Sequence, residues 1–148
     1  MSQYNDRGFK QQQTRKRECI PLTEENYVEI ARKAMTTLVE RKDKWGNTNV
    51  VTTSKIRNLL AMTADIYNDT VVLTEDELSE DIVGRINYLK VRMIYESGRE
   101  PKVEELVTEA QLLERLEKIG KSRKEYLLFS RYMEALVAFR KYLGGKDD

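Results

Sequence analysis

Apolar residues recur along this chain at steps of three and four, the spacing that gathers them on one side of an α-helix. Tyr27, Ile30, Ala31, Ala34, Met35 and Leu38 make the first such stripe. Thr23 ahead of it is an N-cap candidate, with Glu24 and Glu25 at the positive end of the helix. The stripe stops near Arg41, and residues 42–49 read as a loop. A second stripe, Ile56, Leu59, Leu60, Thr63, Ile66 and Tyr67, starts after Thr52 or Thr53 and ends at Asn68-Asp69. The third helix is expected to open on a capping box of Thr74 and Glu77, with Val71-Val72-Leu73 leading into it. It would bury Leu78, Ile82, Ile86, Leu89 and Met93, with Ile94 at the margin, and stop at Gly98.

Pro101 fits the first position of a fourth helix. Val103, Leu106, Val107, Ala110, Leu113 and Leu116 are its predicted inner face and Gly120 its end. Ser122 with Glu125 is another capping box, and the last helix runs through Leu128, Phe129, Tyr132, Met133, Leu136 and Phe139 to Gly144-Gly145. The pattern therefore predicts an all-α protein: one compact bundle of about five helices over residues 21–148. Residues 1–20 lack periodicity and carry Arg7, Lys10, Arg15, Lys16 and Arg17, so they read as a flexible, disordered basic arm.

Composition narrows the function. At 148 residues the chain has room for one domain. It has no His, which removes the commonest general base, the usual triads and most zinc sites. A single Cys19 can form neither an internal disulfide nor a thiolate cage, which suits a reducing compartment. Apolar runs are too short to span a membrane, and no signal peptide is evident. The expectation is a cytoplasmic, non-enzymatic protein with no cofactor, no metal and no membrane partner.

The net charge of +1 hides segregation. Arg41, Lys42, Lys44, Lys55 and Arg57 face Asp43 alone between residues 41 and 57, whereas Asp65, Asp69, Glu75, Asp76, Glu77, Glu80 and Asp81 stand without a base between 65 and 81. Blocks of this kind give a neutral protein one basic and one acidic surface. The acids lack the spacing of a calcium loop, so a solvated or docking face is the simpler reading.

Arg85, Tyr88, Arg92, Tyr95 and Arg99 share one helical face. Guanidinium and aromatic groups in alternation can hold phosphates and stack on bases, or Arg stems can simply cover half-buried rings. Lys55 and Arg57 sit in a first helical turn, where a bound anion would relieve them. Trp45, among Arg41, Lys42 and Lys44, either stacks on a base or packs down on the bundle.

Three stretches go further: TTSKIRNLL at 52–60, YLKVRMIYESGRE at 88–100 and SRYMEALVAFRKYLGGKD at 130–147. In this order and spacing, with the helix around Glu25 to Ile30, they resemble the small helical subunit of the type III-A CRISPR effector, the Csm complex. The resemblance covers roughly residues 23–147. It implies a bundle present in several copies, packed against copies of itself and beside the backbone and large subunits. It also implies contact with guide RNA and target RNA through sugar and phosphate, with the nuclease activities on other subunits. Carried over by motif, the expected RNA contacts are Lys55, Arg57, Arg92, Arg99, Arg131 and Lys141, with Lys44 and Arg85 added from the charge pattern. The basic arm is longer than the family leads one to expect.

Two other readings fit the residues alone. One is a DNA-binding regulator that places the helix after Thr53 in the major groove through Lys55, Arg57 and Asn58. The other is an adaptor whose acidic and basic faces dock proteins only.

Overall fold

The computed structural model describes residues 17–48 and 50–144. Most of the basic arm, residues 1–16, lies outside them. Among the described residues six helices follow one another: α1 (Tyr27–Glu40), α2 (Thr53–Val71), α3 (Glu80–Arg99), α4 (Pro101–Glu109), α5 (Leu112–Ile119) and α6 (Arg123–Gly144). Among the described residues there is no strand beyond two isolated bridges, Lys42 with Thr48 and Glu77 with Ser122.

The centre of the bundle is α6, flanked by α1 and α2 and touching α5. It buries Tyr126, Leu128, Phe129, Tyr132, Met133 and Leu136, so three aromatic rings anchor one helix. The two hydroxyls those rings carry are both satisfied: Tyr126 donates to the Thr63 carbonyl at 2.7 Å and Tyr132 to the Ala110 carbonyl at 3.0 Å. Such bonds let large rings fill the core without orphaning a polar atom. On the other side, α3 packs against α2, α4 and α5.

The helix count exceeds the expected five because the predicted fourth helix is two. Gln111 stands at φ +57°, a left-handed conformation that ends α4 and redirects the chain into α5. The inner face shifts register there, so Leu112, not Leu113, is fully buried. The third helix also starts later than its capping signal suggests. Thr74 and Glu77 form no box; Ser79 is the N-cap and its Oγ accepts from Ile82 N–H at 3.2 Å. Residues 76–78 instead run beside the start of α6, with Leu78 N–H donating to Lys121 O at 2.7 Å and Arg123 N–H to Asp76 O at 2.9 Å. Val72 and Leu73 are exposed in this linker. Gly98 does not stop α3, which continues to Arg99 and gives way to Pro101.

The caps of α2 and α6 follow the sequence. Thr52 Oγ1 accepts from Lys55 N–H at 3.2 Å to open α2, and Ser122 Oγ accepts from Glu125 N–H at 3.2 Å to open α6. At α1 the cap position falls to Asn26 and not to the expected Thr23, which exchanges bonds with Asn26 and organises the turn before the helix.

The described end of the arm is tied down. Arg115, itself buried, donates to Ile20 O at 2.6 Å and to Ala110 O at 3.3 Å, with its guanidinium 5.0 Å from the Tyr132 ring centroid. Arg17 pairs with Glu109 at 2.8 Å, Gln111 reaches Glu18 O and Lys118 reaches Cys19 O. Residues 17–22 thus lie as a strap over α4 and α5.

Candidate nucleic-acid interface

The faces of α2 and α3 that turn from the core frame a long groove. Its wider part, about 540 Å³, lies among Met62, Asp65, Ile66, Gly84, Arg85 and Tyr88, and its narrower part, about 380 Å³, among Lys55, Asn58, Leu59, Arg92, Glu96 and Arg99. Met62 and Arg92 line both parts, so the two are continuous. The floor is apolar and the charge is graded: Asp65, Glu80 and Asp81 stand at one end, Lys55 and Arg99 at the other.

The expected stripe on α3 is present. Arg85, Tyr88, Arg92, Tyr95 and Arg99 fall within about 80° of arc at 100° per residue. Tyr88 and Tyr95 are exposed by more than half. The guanidinium carbons of Arg92 and Arg99 lie 5.2 and 5.7 Å from the Tyr95 ring centroid, so two cations flank one accessible ring.

Each groove cation already has an acidic partner. Lys55 pairs with Glu100 at 3.2 Å, Arg85 with Asp69 at 2.8 Å, and Arg92 and Arg99 share Glu96 at 3.0 and 3.6 Å. Partly exposed pairs of this kind contribute about 0–1 kcal/mol, so a phosphate can take the acid's place at little cost. Charge patterning along the chain does not draw attention to Glu96. Its position four after Arg92 and three before Arg99 is the signal that could have found it.

Lys55 and Arg57, neighbours in the sequence, part company in space. Two residues along a helix turn through about 200°, so Lys55 faces the groove and Arg57 is exposed away from it. Arg131 lies on α6, where Tyr67 and a hydrogen bond to Tyr27 raise its pKa above the ordinary value. It belongs to the side of the bundle shared with α1. Lys141 is exposed in the last turn of α6. Lys44 is in the loop before α2, its ammonium 5.3 Å from the Trp45 ring centroid. That ring is 75% exposed and does not pack on the bundle. The eight predicted residues are therefore gathered only in part: Lys55, Arg85, Arg92 and Arg99 share the groove.

Asp69 is engaged by Arg85, and no group of three His, Cys, Asp or Glu among the described residues could hold a metal ion. No helix of the described residues is long and apolar enough to cross a membrane. The groove also weighs against a recognition helix, since Lys55 and Asn58 line a concavity and Arg57 points elsewhere.

A family model described as Csm2 Type III-A matches residues 32–146, from α1 through the last helix. The chain belongs to the Csm2 family. It is 44% identical over 126 residues to a "CRISPR system Cms protein Csm2" from Streptococcus thermophilus, covering 85% of this chain and 98% of that one. It is 44% identical over 97 residues to the protein so named from Mycobacterium tuberculosis, covering 66% and 78%. A third, from Enterococcus italicus, is 35% identical over 120 residues, covering 76% and 86%. Csm2 membership makes the chain a small subunit of a type III-A CRISPR complex.

Proposed function

We propose that this subunit is a non-catalytic RNA-backbone clamp that touches guide RNA and its paired target through sugar and phosphate, in several copies along the complex. The single observation that carries the reading is the α2–α3 groove, which brings Lys55, Arg92 and Arg99 together beside Tyr88 and Tyr95. Cations placed to grip phosphate suit a subunit that must serve every guide, because phosphate contacts position a strand and base pairing reads it. Arg85 extends the groove toward its acidic end, where Asp65, Glu80 and Asp81 discourage a strand from continuing. Arg57, Arg131, Lys141 and Lys44 lie on neighbouring surfaces and would meet RNA only where it curves off the groove or where another subunit presents it.

The test is the salt dependence of binding to two single-stranded RNAs of unrelated sequence. The Lys55→Ala, Arg92→Ala, Arg99→Ala variant should weaken both RNAs alike and flatten the log–log salt slope by about 0.7 for each phosphate it no longer neutralises. A change in sequence preference with an unchanged slope would contradict the clamp.

A further inference from the structure

Trp45 is a large ring held out in water by a loop built to keep it there. The Asp43 carboxylate accepts from the N–H groups of Trp45 and Asn47, both at 2.9 Å, and the Asp43 backbone N–H donates to Asn47 O at 2.9 Å. Gly46 N–H closes the turn on Asp43 O at 3.0 Å. Gly46 follows the Trp at φ +83°, a conformation that suits glycine. Lys42 Nζ bonds Thr48 Oγ1 at 3.2 Å across the neck, where the two residues form an antiparallel bridge. A ring on so braced a tip loses little conformational freedom when something stacks on it.

The surroundings say what that something is. Lys44 lies over the face of the ring, Lys42 stands at the neck of the same loop bonded to Thr48, and Asp43 is occupied inside the turn. Apolar neighbours, which a protein-docking Trp would use to complete a dry patch, are missing from the described loop residues 42–48. A ligand that satisfies an open π-face and adjacent ammonium groups together carries a flat ring and a negative charge a few ångströms apart. From Thr48 to Thr52, the cap of α2, the chain spans at most about 14 Å, so the neck of the loop stays near the start of the helix that carries Lys55.

We propose that Trp45 is a stacking platform for one unpaired RNA base, with Lys44 and Lys42 taking the flanking phosphates. This rests on the RNA-binding reading above and adds to it a contact with bases. Stacking tolerates any base, so it keeps the subunit indifferent to sequence.

The chain has one Trp, so its emission reports this ring alone. The full-length chain is titrated with a 12-nucleotide single-stranded RNA and with a ribose-phosphate oligomer of equal length that lacks bases. Binding of each is followed separately by the anisotropy of an end label. The RNA should quench the emission, and the baseless oligomer should bind without quenching. Trp45→Ala should weaken RNA binding by about 5- to 100-fold with the salt slope unchanged, and Trp45→Phe should recover part of that affinity. RNA binding without quenching, or equal quenching by the baseless oligomer, would overturn the platform and leave the groove standing. Failure of both oligomers to bind would overturn the RNA-binding reading itself. A Trp45→Ala chain that binds RNA normally but no longer joins its partner subunits would assign the ring to a protein surface and also overturn the proposal.

Discussion

Arg92 and Glu96 form an ion pair at 3.0 Å across one turn of α3, inside the groove where a phosphate would have to sit. The same carboxylate holds Arg99 at 3.6 Å. Glu96 therefore orients two guanidinium groups and would compete with a bound phosphate for both. Glu96→Gln keeps the shape and removes the competitor. RNA affinity should rise by about 3- to 10-fold at low salt, with a steeper salt slope, measured by fluorescence anisotropy. Weaker binding would mean that the carboxylate's orienting effect outweighs its repulsion.

Lys55 and Arg57 provide an internal comparison on α2. Because Lys55 lines the groove and Arg57 does not, Lys55→Ala should couple to Arg92→Ala in a double-mutant cycle, while Arg57→Ala with Arg92→Ala should add independently. Equal coupling for both pairs would place the RNA over the helix rather than in the groove.

The strap is a stability element with its own readout. Arg115→Leu removes the bonds to Ile20 O and Ala110 O and the stacking on Tyr132, and should cost about 2–4 kcal/mol in denaturant unfolding. Cys19, whose carbonyl is held by Lys118 beside the Arg115 anchor, should react faster with a thiol reagent in the folded variant. Unchanged labelling would show that Lys118 and Gln111 hold the strap alone.

Alkaline pH should unfold the bundle through its buried phenols. Burial raises the pKa of both Tyr126 and Tyr132 above that of an exposed tyrosine, in Tyr132 against the opposing influence of Arg115. Above about pH 10 the unfolded chain loses these protons first, so the native state binds more protons and stability falls as pH rises. The contribution is intact below that pH. Tyr126→Phe should shallow the decline above about pH 10 while lowering stability near neutrality by about 1–2 kcal/mol, since the buried bond to Thr63 O is lost. Thermal melts from neutral pH to about pH 11 would show both effects.

Most of the helical pattern is written in the spacing of apolar residues, because the helices bury stripes at steps of three and four. What the pattern misses are places where polar atoms decide. The capping signal at Thr74 and Glu77 is local, and it loses to the tertiary bonds that Asp76 and Leu78 make to the start of α6. The break at Gln111 carries no Gly or Pro to announce it; its left-handed backbone is held where the Gln111 side chain meets the strap. Thr70 reads as polar but is buried, because its hydroxyl bonds back to Ile66 O at 2.7 Å within its own helix. At the site, the Arg and Tyr stripe on α3 is legible because it follows one helix's period. Its meeting with Lys55 is not, since that depends on how α2 and α3 pack, whereas the divergence of Lys55 from Arg57 already follows from their expected place in one helical turn.

Whether RNA runs along the α2–α3 groove is tested most directly by ultraviolet crosslinking of the complex purified from its native cell. Tyr88 and Tyr95 are exposed rings at the groove's edge, where a strand lying in the groove would come within crosslinking reach. Peptide mass spectrometry should find short RNA attached to peptides spanning residues 85–99, and the Lys55→Ala, Arg92→Ala, Arg99→Ala subunit should lose those adducts while remaining in the complex. RNA adducts confined to other surfaces of the chain, or undiminished in that variant, would contradict a strand bound in the groove.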